Sequence, residues 1–388
     1  MKPVIVLTYE YPPFQGGIAT YAHDLAQAIA RIGHPITVHA PDFGAPDRYA
    51  EQKGVSHQLF PGHVFRHKDF PKAIVIAFKA IRANPNAIFL AADWPFVAAC
   101  SLLRRVMYFD YVAMLHGSEI LFFRNSRIFN LAMFGNPFHG AQRLCANSRY
   151  TASLLKQAYP RSPNATITYL GVDPSWMEPI QRSNAILEEL GITPDKTVIL
   201  SVGRIHPRKG QETCIRALNA LPSELKQQIV YVIAGPAIDS TYTEKLNNTA
   251  ATASVPVSLI HGLDKAKLRA LYARSDIFAL PSEPHGTKVE GFGLVFLEAA
   301  CFGLPSIALR AAAVPEVVEH GKTGLLTEPG DLTSLTQAFH TLLTDRTYRH
   351  RLGQAAQKRA REFTWDNTAK QTLHSLSEYQ QPITITDL

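Results

Sequence analysis

The chain starts the same pattern twice. A buried-strand run, PVIVLT, opens the sequence and passes through Gly16-Gly17 into a helical pattern; from Thr197 a second run, TVILSVGR, passes into KGQETCIRAL. Short β-rich runs of this kind are buried on both faces, so each needs a crossover helix to cover it. PITVHA, AIFLAAD, YVAMLH and RLCANS follow the first start, and IVYVIA, PVSLI, IFALP and SIAL the second. In the first helix Ile18, Tyr21, Ala22, Leu25, Ala28 and Ile29 form one apolar stripe, which Gly33 and Pro35 bring to an end. The expected fold class is therefore α/β, with two Rossmann-like, doubly wound domains facing across a cleft. A length of 388 residues suits two cores better than one. The turn-rich stretch GVDPSWMEPI reads as the interdomain linker. The expected domains are residues 1–170 and 171–388. A terminal helix at about 366–380, which has no strand of its own, is expected to pack back across the boundary.

Charge is unevenly spread. Residues 1–170 hold 17 Lys+Arg against 9 Asp+Glu, or +8, whereas the remainder, with 22 against 23, carries −1. Such a half suits an anionic partner or a solvated basic face. Nucleic acid is not expected, because no basic run is interleaved with aromatics and no zinc spacing occurs. Residues 72–82, KAIVIAFKAIR, place Ile74, Ala77, Phe78 and Ile81 on one helical face, with Lys72 and Lys79 opposite and Arg82 at the margin. Arg66, His67 and Lys68 stand just before. This helix either packs on the core with its lysines in water or lies on an anionic membrane surface. Cys100, Cys145, Cys214 and Cys301 lack CxxC or CxH spacing and read as reduced core residues. The apolar stretch Ala87 to Leu103 is interrupted by Asp93 and Pro95, so a strand and a helix explain it better than a membrane span. With no signal-peptide pattern at the start, the expected location is cytoplasmic, with a peripheral place on the inner face of the plasma membrane left open.

The chemistry-bearing stretches come at strand ends. TVILSV ends in Gly203-Arg204 and reaches Lys209-Gly210 before a helix, which puts cations at a sheet mouth where phosphate oxygens could be gripped. No P-loop pattern GxxxxGK(S/T) is present. Near residue 290 the chain reads VEGFGLVFLEAACFGLPSIA, with Glu290 and Glu298 eight apart. Between them Gly291, Phe292 and Gly293 lead into a helix beginning near Leu294, whose amide end favours an anion. A carboxylate at Glu298 suits the vicinal hydroxyls of a ribose, and one at Glu290 suits another polyhydroxylated group. One anion flanked by two sets of hydroxyls describes a nucleotide-diphosphate sugar. Gly16-Gly17, at a loop-to-helix junction, would let amides approach a phosphate or make a plain turn. His116 ends YVAMLH, a position that structural histidines also occupy.

The Glu290–Glu298 stretch, the GR…KG pair, LYARSDIFALPSE before it and VPEVVEHGKTGLL after it together resemble the retaining glycosyltransferases of family 4, which have the GT-B fold. The resemblance covers essentially the whole chain. It implies that Arg204 and Lys209 bind the donor diphosphate, that Glu298 holds the ribose and that Glu290 contacts the transferred sugar. It also implies that the Gly16-Gly17 loop lies over the donor phosphates and that His116 stands beside the reacting sugar. Arg204, Lys209, Glu290 and His116 are the expected catalytic group. Gly203, Gly291, Phe292, Gly293 and Leu294 complete the donor contacts. The first domain would then take the acceptor and the second the donor. Where family members often carry Gly-Gly before the later Pro-Glu, this chain has Ala311-Ala312-Ala313, which bears on the sugar pocket. No metal is expected, since DxD is absent, and no cofactor beyond a UDP- or GDP-linked sugar as co-substrate. The acceptor would be a glycan, a lipid-linked molecule or a small molecule. A sugar-nucleotide epimerase of the same fold, or a non-catalytic nucleotide-sugar-binding regulator, remains the alternative.

Overall fold

The computed structural model describes residues 2–14, 16–44, 53–63, 65–286 and 288–377. The chain divides into two compact units, Met1–Gly171 with Thr364–Leu388, and Val172–Phe363.

The first unit holds a seven-stranded sheet in the order β3-β2-β1-β4-β5-β6-β7. Its strands are β1 Val4–Leu7, β2 Ile36–Asp42, β3 Val55–Pro61, β4 Ile88–Ala91, β5 Asp110–Leu115, β6 Arg143–Ala146 and β7 Thr166–Ile167, and every pairing is parallel. Helices α1 Gly17–Arg31, α2 Phe70–Ala83, α3 Trp94–Leu103, α4 Ser118–Asn125, α5 Arg127–Ala132 and α6 Arg149–Ala158 join them. In α1 the expected stripe is buried apart from Ile18, which is half-buried, and Gly33 takes the left-handed conformation just beyond the helix end.

The second unit repeats the scheme with six parallel strands in the order β10-β9-β8-β11-β12-β13. They are β8 Thr197–Val202, β9 Ile229–Ala234, β10 Val257–Ile260, β11 Ile277–Leu280, β12 Ser306–Leu309 and β13 Gly324–Thr327. The helices are α7 Ala185–Glu189, α8 Gln211–Asn219, α9 Ser223–Lys226, α10 Ser240–Ala251, α11 Lys265–Arg274, α12 Leu294–Cys301, α13 Val314–Val317, α14 Leu332–Thr344 and α15 Arg346–Ala360. In both sheets the strand order reverses once, between β1 and β4 and between β8 and β11. Crossovers diverge at such a point and leave a crevice at the carboxyl ends of the strands, where ligands of open α/β sheets bind.

Three details differ from the sequence reading. GVDPSWMEPI is not a loose connector: from Val172 onward it packs on the second unit, with Trp176 edge-on to Tyr272 at 5.6 Å and Asp173 paired with Lys265. The second unit ends at Phe363 rather than running to the C-terminus. Helix α16, Trp365–Ser377, belongs to the first unit and lies on α1; residues 378–380 of the expected helix lie outside the described residues. The third concerns α2. Its packed face is Ala73, Ala77, Ala80 and Ile81, small residues that let the helix approach closely, while Val75 and Phe78 are exposed beside Lys79 and Arg82. Phe78 is therefore not a core residue. The Arg82 guanidinium lies 6.0 Å from its ring centre.

Trp365 anchors the returning helix. It is 2% exposed and 5.8 Å from the Tyr21 ring, and Thr368 Oγ1 donates to the Tyr169 carbonyl at 2.6 Å. A Cβ at Gly171 would lie 2.1 Å from the Trp365 backbone nitrogen, so this approach requires glycine. Gly171→Ala should lower the thermal midpoint of unfolding by several degrees, about 1–3 kcal/mol of overpacking. An unchanged midpoint would show that the α16 contact is dispensable.

Candidate active site

The crevice of the second unit is built by the loops after β8 and β11. Beyond Val202 the chain turns at Gly203, whose φ is +149°, and Arg204 is exposed. A single 3-10 turn, Pro207–Lys209, follows, with His206 Nδ1 accepting from the Arg208 amide at 3.1 Å. Gly210 closes it at φ +70°, where a Cβ would meet the Pro281 carbonyl oxygen at 2.2 Å. The tight turn sends consecutive side chains inward: Arg208 and Lys209 are each 7% exposed.

Both converge on one carboxylate oxygen. Arg208 Nη1 donates to Glu290 Oε2 at 2.8 Å and Lys209 Nζ donates to the same oxygen at 2.7 Å. Burial would raise the Glu290 carboxyl, but the charges and hydrogen bonds of Lys209 and Arg208 outweigh it and hold the group at about 2. Burial lowers the Lys209 ammonium from its ordinary value, with the Glu290 charge acting against that shift. Arg204, His206, Arg208, Lys209, Ile238 and Lys288 line one pocket. Burial lowers the His206 imidazole, and the charges of Lys288 and Arg208 lower it further. Two arginines and two lysines set against one carboxylate suit an anion.

The helix expected near Leu294 begins there. Its N-cap, Gly293, has φ +92° and no side chain to occupy the helix amides. Glu298, in α12, accepts from Tyr272 Oη at 3.1 Å, and the Tyr272 ring stacks on Phe302 at 5.5 Å. Phe292 turns away from the pocket: it is buried and meets Phe363 edge-on at 5.8 Å, so only its backbone can face a ligand.

In the first unit the corresponding loops follow β1 and β4. Gly16 is the N-cap of α1 in extended conformation; a Cβ there would lie 3.1 Å from Phe14 Cε1, whereas Gly17 faces open space. His116 Nε2 donates to the Ala92 carbonyl at 2.9 Å, which sets the tautomer, and the Tyr21 ring meets the imidazole edge-on at 4.8 Å. The His116 and Gly117 amides both donate to Glu119 Oε1, at 2.5 and 3.0 Å. Asp93, beside Ala92, caps α3 and accepts from the Tyr9 amide at 2.5 Å. Burial raises its carboxyl to about 7 despite those hydrogen bonds.

Lys209 and Glu290 are thus brought into contact, and Arg204 shares their pocket. Sequence reasoning passed over Arg208, Lys288, Tyr272 and Asp93. Arg208 stood between the GR and the KG of the loop after β8 and Tyr272 inside LYARSD, but which loop cation turns inward depends on the 3-10 turn.

Two Rossmann-like sheets in one chain, the second with a cationic crevice at its strand-order reversal, define the GT-B class. Two family models match in succession: Glycosyltransferase Family 4 over residues 15–176, and Glycosyl transferases group 1 over residues 183–359. The chain belongs to the family 4 glycosyltransferases. It is 29% identical over 359 residues to a Mycolicibacterium smegmatis protein named GDP-mannose-dependent alpha-(1-6)-phosphatidylinositol monomannoside mannosyltransferase, covering 88% of this chain and 89% of that one. A Corynebacterium efficiens D-inositol 3-phosphate glycosyltransferase is 34% identical over 194 residues, 49% of this chain and 45% of that one. The structure of Anabaena HepE with UDP and glucose shares the fold at a TM-score of 0.81 and 23% identity, covering 97% of this chain and all of that one.

Glu290→Gln leaves Arg208 and Lys209 buried without a counter-charge. The variant should lose about 3 kcal/mol of stability at neutral pH, and pyrophosphate should raise its thermal midpoint more than that of the wild type. The stability Glu290 confers is fully present above 4.5 and is lost as pH falls through about 2. Equal midpoints at neutral pH would mean that the carboxylate is not the counter-ion.

Proposed function

We propose that the protein moves a hexosyl group from a nucleotide-diphosphate sugar to an acceptor hydroxyl, with retention at the anomeric carbon and without a metal ion. The observation that carries this reading is the cationic pocket at the β8–β11 crevice, two of whose cations close on Glu290. Arg204, Lys209 and the amide end of α12 stabilise the charge that develops on the departing diphosphate, as preorganised donors do. This is the service a divalent cation performs in metal-dependent transferases. The bond from the anomeric carbon to the diphosphate oxygen breaks, and the bond to the acceptor oxygen forms on the same face. The acceptor's proton passes to the leaving phosphate oxygen. Glu290 holds hydroxyls of the transferred sugar and Glu298 the ribose. Gly16 and Gly17 bring amides near the phosphates, and His116, its tautomer set by Ala92, accepts from a sugar hydroxyl through Nδ1.

Relatives named for GDP-mannose extend over most of the chain, which favours a GDP-linked mannose and a polyol or lipid-linked acceptor. The basic, partly apolar outer face of α2, with Lys72, Lys79 and Arg82, suits an anionic membrane carrying such an acceptor. No helix among the described residues is long and apolar enough to cross a membrane.

Thermal shift against a panel of nucleotide sugars identifies the donor, since a ligand at a hundredfold its dissociation constant adds about 2.7 kcal/mol. NMR of the product should then show the donor's anomeric configuration, and turnover should persist in excess EDTA. An inverted product, loss of activity restored by manganese, or epimerised donor without acceptor would each overturn part of the reading. Arg204→Ala should lower turnover by roughly a hundredfold to a thousandfold in a folded protein. Near-normal turnover would remove Arg204 from the diphosphate site.

A further inference from the structure

The outer face of α5 is apolar and bare. Ile128 and Leu131, one turn apart on α5, are 82 and 80% exposed, and Phe134, just beyond the helix end at φ +50°, is 74% exposed, while Phe129 turns inward onto Phe70 and Trp94. The loop between α3 and β5 exposes Val106 at 82% and Tyr108 at 77%. Arg105 joins the two segments: it donates to the Met133 carbonyl at 2.7 Å, and its guanidinium lies 4.7 Å from the Phe134 ring centre. Arg104 lies 4.3 Å from the Tyr108 ring centre, and Arg124, at the end of α4, and Arg127, at the start of α5, are exposed. Residues 104–108 and 124–134 contain no Asp or Glu. Scattered exposed apolar residues need no explanation, but five on adjoining segments interleaved with four arginines do.

The charge decides the occupant. In a symmetric contact with a second copy, arginines would face arginines with no carboxylate in the patch to offset them. An anionic bilayer offers phosphate to the guanidinium groups and an acyl boundary to the apolar side chains, the arrangement of helices that lie in a membrane interface. Tyrosine suits the headgroup level, with its ring buried and its hydroxyl wet.

We infer that the face formed by α5 and the α3–β5 loop seats on an anionic lipid bilayer, with Ile128, Leu131, Phe134, Val106 and Tyr108 entering the headgroup boundary. This deepens the lipid-linked acceptor reading and rests on it for the purpose of docking, but not on the donor site. It also differs in kind from the basic face of α2: insertion of apolar side chains resists salt, whereas charge attraction is screened by it.

The test uses the full chain with phosphatidylcholine vesicles, with and without phosphatidylglycerol. Wild type should sediment with the anionic vesicles and retain part of that binding at high salt. Ile128→Ser/Leu131→Ser/Phe134→Ser should lower partitioning by about tenfold or more and abolish the salt-resistant part. Arg124→Glu/Arg127→Glu should lose binding mainly at low salt. Emission of the Phe134→Trp variant should gain a blue-shifted component that brominated lipid quenches. Donor-induced thermal shifts should match the wild type in every variant, which separates failure of docking from failure of the transferase reading. Wild type that ignores anionic vesicles at low salt, or a triple serine variant that binds as well as wild type, overturns the inference. So does a triple variant that changes only the solution mass, since the occupant would then be a second copy.

Discussion

Two buried cations closing on one carboxylate oxygen are the contact on which the crevice of the second unit turns. Arg208 and Lys209 come from the loop after β8 and Glu290 from the loop after β11, so the pair of salt bridges spans the reversal point of the second sheet. Neither cation would be tolerated at 7% exposure without it. The glycines around them follow from the same demand. Gly210 lets the 3-10 turn lie against Pro281, and Gly203 takes a backbone angle, φ +149°, that side-chain-bearing residues rarely adopt. Under the proposed reading, a diphosphate entering this pocket meets groups already desolvated and aimed, so little reorganisation is left for the moment of bond breaking.

Much of the scaffold could be read from the residues. The apolar runs marked ten strands because parallel strands are buried on both faces and show it in composition. The strands that escaped lie at sheet edges. β3 exposes Ser56, Gln58 and Leu59, with His57 half-buried against Tyr11, β7 is two residues long, and β13 opens with Gly324, which lies against the backbone of Ser306. Periodicity placed Ala77 and Ile81 of α2 on the packed face but missed Ala73 and Ala80, whose small side chains carry little apolar signal, and it put Phe78 there although that ring faces water.

The site was legible to the level of the loop and no further. Arg204, Lys209, Glu290 and Glu298 all sit on the loops or the helix that their motifs foretold. That Arg208 would share Glu290 was not readable, because the direction of consecutive side chains in a 3-10 turn depends on the cap at His206 and the fit at Gly210. Tyr272 under Glu298 is a contact between α11 and α12, far apart in sequence. The raised carboxyl of Asp93 belongs to burial where the ends of β1 and β4 meet, with Thr8 and Tyr9 on one side and Phe96 on the other.

The return of α16 has a bearing on how the molecule comes into being. Because Tyr21 and Gly171 wait for Trp365, the unit begun first is finished last. On a ribosome the whole of Val172–Phe363 emerges, and can fold, before the earlier sheet receives its covering helix. Until then the α1 surface that Trp365 covers is exposed to chaperones and to neighbouring nascent chains. A premature stop near residue 363 would therefore spare the unit it borders and leave the more distant one open.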